Sequence, residues 1–288
     1  MSLSNPLDSR MHLGAELRRL RKSRGMTMRQ IADFLDCSET RVSRLETGKL
    51  TGAVLKPGEL RRLAELFGVD DQGDVDQLLH LLGETEQTAW WEPYEDVLPS
   101  GMDALLGLQT SARGELALAT LRIHDLLQTD DYFRVLLAET GVHSPIAIDR
   151  LSDLRARRSE VLRRAEKPLD LTLLLDEAAL RRPVGSRGVM REQLQALVHT
   201  VRELPNVDIR VVPFGHGAHA GMSGAFSVFA LDDQPSVVHV ESPAGTLLLN
   251  RERDVHELID LFDRVLGKAL GRDESIGLIT SIAGDHYS

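Results

Sequence analysis

Cysteine is almost missing from this chain: Cys37 is the only one in 288 residues. A single thiol closes no internal disulfide, which fits a reducing compartment. No apolar run approaches the roughly 18 residues that span a bilayer, and the opening residues from Met1 to Leu7 lack the charged and apolar regions of a secretory signal. Nucleophile elbow, phosphate loop and dinucleotide fingerprint are absent too. The expectation is a cytoplasmic protein without membrane attachment, without a cofactor, and not an enzyme.

Hydrophobic residues at 42% and charged residues at 27% describe ordinary globular material, and the length suggests two domains. Positive charge is scarce overall, with a net charge of −10. It is unevenly shared. Residues 1–70 hold 13 Lys and Arg against 9 Asp and Glu, an excess of four, whereas the remainder holds 21 against 35. A basic head on an acidic body suggests nucleic acid at one end.

Within the head, Leu13, Leu17 and Leu20 recur at helical spacing from Arg10 to Arg24, and Gly25 ends that helix. Thr27 with Gln30 three residues later has the spacing of a capping box and opens a helix from Met28 to Leu35. The break Asp36-Cys37-Ser38 leads to a second short helix through Thr47, with Val42 and Leu45 inward and Gly48 as its stop. Two short helices joined so tightly fit a helix-turn-helix, whose second helix enters the major groove. Pro57 to Phe67 and Asp74 to Leu82 read as fourth and fifth helices.

The stretch Leu20-Arg21, Gly25-Met26-Thr27, Ile31-Ala32, Ser38, Val42-Ser43-Arg44-Leu45-Glu46 and Gly48-Lys49 resembles the Cro/XRE-type repressor domain. The resemblance implies DNA contacts from Thr27, Met28, Arg29, Ser38, Glu39, Thr40, Arg41, Ser43, Arg44 and Lys49. Glu39, Thr40 and Arg44 occupy base-reading positions. Arg44 suits a bidentate contact to guanine, and Glu39 either accepts from a cytosine amino group or complements the positive end of its helix. Thr27, Arg29, Arg41, Ser43 and Lys49 suit phosphates. Met28 stands where this family often has Gln, so the half-site of better-known repressors does not transfer. The resemblance also implies an ion pair between Arg21 and Glu46, while Cys37 reads as an inert turn residue.

Residues 83–99 are polar, contain Trp90-Trp91-Glu92-Pro93-Tyr94, and read as a linker between a head at 1–82 and a body at 100–288. The body is expected to be mostly helical to Ala165, with Thr129 capping one helix. Strands are then expected at Leu169–Leu175, Val207–Val212, Ala225–Leu231 and Val237–Glu241, the last two forming a hairpin through Asp232-Asp233-Gln234-Pro235. Helices are expected at Met190–Glu203, Glu252–Leu270 and Glu274–Ile282. The fold class is thus α+β, an all-α head followed by a mixed α/β domain. The segments Leu126 to Tyr132, Asp176 to Gly185, Val211 to Phe214, Gly221, Gly224 and Phe226 resemble an uncharacterised, antitoxin-like domain found beside Cro/XRE-type heads in many actinobacterial regulators. Ile123-His124-Asp125 departs from the turn usual there.

The glycine-rich loop from Phe214 to Phe226, with His216 and His219, is the candidate ligand rim of a regulatory or partner-binding domain. His239 and Glu241 on a nearby strand do not make a metal site the favoured reading. The sequence thus points to a homodimer binding double-stranded DNA at a palindromic operator. The body would hold a small-molecule effector or a small protein partner. An antitoxin-like partner holder that autoregulates is the alternative, and an enzyme with a DNA-binding head the third.

Overall fold

The computed structural model describes residues 6–48, 55–85, 89–99, 101–141, 144–232, 235–242 and 245–287. The chain divides into two compact units, Met1–Pro93 and Tyr94–Ser288.

The first unit is all helix: α1 (Pro6–Ser23), α2 (Met28–Phe34), α3 (Glu39–Glu46), α4 (Pro57–Leu66) and α5 (Gln72–Thr85). Helix α1 begins four residues ahead of the expected Arg10, at a proline whose fixed φ suits a first turn. Leu13, Leu17 and Leu20 of α1 meet Ile31, Ala32, Val42, Leu45, Leu60, Leu63 and Phe67 in one buried cluster. Each of these side chains larger than alanine contributes about 1.5–3 kcal/mol when fully removed from water. Close approach is built in at Gly14, where a Cβ would stand 2.4 Å from the Leu45 carbonyl oxygen. No larger residue lets α1 cross α3 there. Arg24 fastens the end of α1 to the end of α4, donating from Nε to Phe67 O at 2.6 Å and from Nη2 to Gly68 O at 3.1 Å.

The second unit runs α6 (Met102–Ser111), β1 (Gly114–Ala119), α7 (Asp130–Glu139), α8 (Pro145–Ser159), β2 (Asp170–Asp176), α9 (Glu177–Arg181), α10 (Arg187–Glu203), β3 (Val207–Val212), β4 (Phe226–Ala230), β5 (Val237–Ser242), β6 (Gly245–Leu249), α11 (Glu252–Leu266) and α12 (Arg272–Asp285). The sheet order is β3-β2-β1-β4-β5-β6. Strands β1 to β3 are parallel and β4 to β6 continue antiparallel. The fold is therefore α+β, with the direction of pairing reversing between β1 and β4. Leu118, Leu174, Val212, Phe226, Val228 and Val238 share one face, which α11 covers with Val255, Phe262 and Val265.

Three sequence expectations are corrected. The stretch before Ala165 is interrupted by β1, the strand between the parallel and antiparallel halves. Its sequence Gly-Glu-Leu-Ala-Leu-Ala favours helix, but pairing with β2 and β4 decides its state. Strand β6 is a further element that the sequence reading did not contain. Thr129 does precede α7, yet its hydroxyl makes no cap hydrogen bond; instead its N–H donates to Gln193 Oε1 at 2.7 Å. Strands β4 and β5 pair as an antiparallel hairpin, with Asp233 and Gln234 outside the described residues.

Candidate functional site

Local chemistry sets the helix pair. Thr27 and Gln30 form a reciprocal capping box: the Thr27 Oγ1 accepts from Gln30 N–H at 3.3 Å, and the Thr27 N–H donates to Gln30 Oε1 at 2.8 Å. Asp36 takes a left-handed φ of 51° in the turn, a conformation Asp tolerates better than most residues. Cys37 N–H donates to Ala32 O at 2.9 Å, and the Ser38 Oγ accepts from Arg41 N–H at 3.2 Å to start α3. The thiol of Cys37 is free and half-buried.

On α3, Val42 and Leu45 are buried in the head's core, whereas Glu39, Thr40, Ser43 and Arg44 are exposed together on the opposite side. Helical geometry at 3.6 residues per turn forces that split. Thr27, Met28, Arg29 and Ser38 are exposed too, and Arg41 is half-buried. Among the described residues, the side chains of Arg29, Glu39, Arg41 and Arg44 enter no hydrogen bond or ion pair. Their charges are left free for an external partner. Met28, at the start of α2, is an exposed apolar side chain. Lys49 lies outside the described residues.

Behind this surface, Arg21 on α1 and Glu46 at the end of α3 make a two-pronged ion pair. Nε meets Oε1 at 2.5 Å and Nη2 meets Oε2 at 2.8 Å. Both residues are buried, and Arg21 Nη1 also donates to Met26 O at 2.7 Å. The hydrogen bond to Glu46 raises the Arg21 pKa further above its ordinary value.

In the second unit the loop after β3 does not form a single rim. Phe214 and His216 are exposed, but His219 is folded inward with Nε2 2.9 Å from Asp176 Oδ2. Asp176 also accepts from Ala178 N–H at 2.8 Å, so it caps α9 and steadies the loop at once. Glu177 accepts from Phe214 N–H at 2.7 Å. Phe226 is corrected from rim to core: it sits opposite Leu118 in the β1–β4 register and packs beneath α11. His239 lies buried on β5, held below its ordinary pKa mainly by desolvation. Among the described residues no group of three or more His, Cys, Asp or Glu side chains is placed to hold a metal ion, and no helix is long and apolar enough to cross a membrane.

Residues 102–281, well over half of the chain, match the family described as Domain of unknown function (DUF5753). The chain belongs to that family. Residues 12–78 match a helix-turn-helix domain, which makes this DUF5753 member a DNA-binding regulator in the general sense. No curated protein and no solved structure matches the chain.

The DUF5753 domain also holds a polar network that the sequence reading missed. Glu115, buried on β1, accepts from Ser227 Oγ at 2.7 Å and faces His124 Nε2 at 3.0 Å. Beside it, Asp125 meets Arg122 at 2.5 Å and Arg158 at 3.7 Å, and Arg122 reaches Glu241 at 2.5 Å. Arg158 Nε donates to Gln109 Oε1 at 3.1 Å. The available signal was Glu115 itself, a lone acid in an apolar run; its partner Ser227 is brought to it only by the β1–β4 pairing, 112 residues away in sequence.

Burial alone would push the Asp125 carboxyl upward, but the charges of Arg122, Arg158 and His124 outweigh it and bring it to about 2. A carboxylate depressed in the folded state stabilises above its unfolded pKa, and that contribution disappears as pH falls through the folded value. Acidification from about pH 4 to about pH 2 should therefore remove about 2 kcal/mol through this residue. Acid unfolding of wild type and Asp125→Asn reads it. The variant is expected to lose less stability over that window, and parallel curves would remove Asp125 from the account.

Proposed function

We propose that this chain is a cytoplasmic transcription regulator that binds a two-fold-symmetric operator as a homodimer, reading bases through α3. One observation carries the reading: α3 exposes Glu39, Thr40, Ser43 and Arg44 on one side, with the side chains of Glu39 and Arg44 unengaged. Arg44 approaches guanine and Glu39 lies at the helix start, while Thr27, Arg29, Arg41, Ser43 and Lys49 meet phosphates. Two-fold sites suit such a head because one recognition helix spans too few bases for selectivity. The DUF5753 domain is proposed as the binding module that sets the activity of the head, not as an enzyme. Its guest acts only by binding the DNA-competent and incompetent states with different affinity.

A second reading, a protein that mainly holds a small protein partner, has its own support. Leu121, Phe214 and Met222 are exposed apolar residues, 60%, 56% and 69% accessible. All three belong to loops at one end of the sheet, where β1 and β3 finish and β4 begins. An effector pocket or a partner surface would sit there.

Sequencing the DNA fragments retained by the purified protein from a random pool tests the main reading. Enrichment of an inverted repeat, its half-sites about one helical turn apart (~34 Å), is expected. A retained pool indistinguishable from the input would overturn it.

A further inference from the structure

In the DUF5753 domain α10 and α12 lie side by side without closing fully on each other. Arg272 Nη2 donates to Val201 O at 2.6 Å at one end, and Arg191 shares a cavity with Ala283 and Gly284 at the other. Two adjoining cavities of about 620 and 480 Å³ lie between the helices and share Arg202 and Thr280. Each has the size of a small-molecule site. Together they form a trough that follows α10 from Arg191 to Arg202, roughly 16 Å at the helical rise per residue. Gly277 and Gly284 of α12 border it, and a Cβ on either would meet nothing within 4 Å. Neither has a positive φ, so neither turn geometry nor close packing inside the domain asks for glycine there. Glycine in the interior of a helix, as at Gly277, is among its least favourable residues.

The two cavities differ in chemistry. The larger holds Arg202, Arg272 and one acid, Asp273, over Val201 and Ile276. Arg202 is exposed, and among the described residues its side chain engages nothing. The neighbouring acids are already occupied: Glu203 lies 3.1 Å from His199 and 3.5 Å from Arg163, and Glu274 accepts from Gly271 N–H at 2.9 Å. The smaller cavity continues over Leu194, Val198 and Ala283, with Arg191 and His199 at its exposed rim.

We propose that this trough is an effector site, and that its guest is an amphipathic anion, an apolar chain ending in a carboxylate. The site rests on the reading above, in which the domain sets the activity of the head, and it gives the guest a chemistry. The carboxylate lies between Arg202 and Arg272, whose planar guanidinium forks match its two oxygens. The chain lies over Leu194, Val198 and Ala283, where Gly284 leaves it room. A guest that spreads α10 from α12 also acts on the sheet, because Val211 N–H on β3 donates to Ser275 Oγ on α12 at 3.0 Å.

Isothermal titration of the full chain with sodium decanoate, below its micellar concentration, tests this. Acetate and decanol, which carry the anionic head alone and the chain alone, are titrated beside it. Decanoate is expected to bind once per chain and at least tenfold more tightly than either. Arg202→Gln removes no internal contact and should weaken decanoate at least tenfold with an unchanged thermal midpoint. Gly277→Leu fills the trough and should abolish binding, with a midpoint that stays or rises because leucine is the better helix former. A glycine needed only for the fold would instead give a lower midpoint. No decanoate binding, or binding that both variants retain, would overturn the assignment of the trough. Decanoate that binds as expected but leaves operator affinity unchanged would overturn the effector role while leaving the site standing.

Discussion

Glu46→Ala is expected to destabilise the head by about 3–5 kcal/mol, the usual cost of breaking a buried pair by removing one partner. Deleting the carboxylate strips both short contacts from Arg21 and leaves only the Met26 carbonyl as acceptor for the guanidinium. Arg21 cannot escape by losing its proton, because guanidinium groups stay charged at any relevant pH. The side chains are 9% and 6% exposed, so water gives little compensation. For a unit of this size each kcal/mol moves the midpoint by about 4–8 °C, so the head transition in a thermal scan of the full chain should fall by more than about 10 °C. Glu46→Gln keeps the shape and part of the hydrogen bonding, and should fall less. The variant should also lose DNA affinity, since this pair fixes the end of α3 against α1. An unchanged head transition in Glu46→Ala would mean that packing around Gly14 and Leu45 alone holds the two helices together.

Where structure is decided by residues close in sequence, the sequence was readable. The Thr27–Gln30 box and the Gly25 and Gly48 stops each act within a turn of their helix, and α2 and α3 lie within a residue of the expected bounds; the Ser38 cap on α3 is a feature that only the structure shows. Val207–Val212, in which β-branched Val207, Ile209 and Val211 alternate with Asp208 and Arg210, emerges as β3 unchanged. Strand β1 illustrates the opposite case. Its alanines, leucines and glutamate favour a helix, and only the flanking strands, more than fifty residues away, hold it extended. The candidate ligand loop divided for the same reason. A glycine-rich loop with aromatics at both ends suggests a rim that includes Phe226, but strand parity turns Phe226 onto the face that α11 covers. His219 is drawn inward by Asp176, a partner 43 residues earlier that only the path from β3 to β4 brings near.

Arg44→Ala should lower affinity for a selected operator by about 1–3 kcal/mol, a five- to 150-fold loss, and leave binding to random duplex nearly intact. Arg44 is exposed beside Thr40 and Ser43, and among the described residues nothing engages its side chain. Truncation therefore removes no packing and leaves no buried group unmatched, so the effect reports on DNA alone. A guanidinium placed to fork onto guanine contributes only where that base is present, whereas one placed on phosphate contributes to every sequence. Equilibrium titration of wild type and Arg44→Ala against the operator and a random duplex, at one fixed salt concentration, is the most direct measurement of whether α3 reads sequence. A loss confined to the operator is expected. Equal losses on both duplexes would contradict it and move Arg44 to the phosphate backbone.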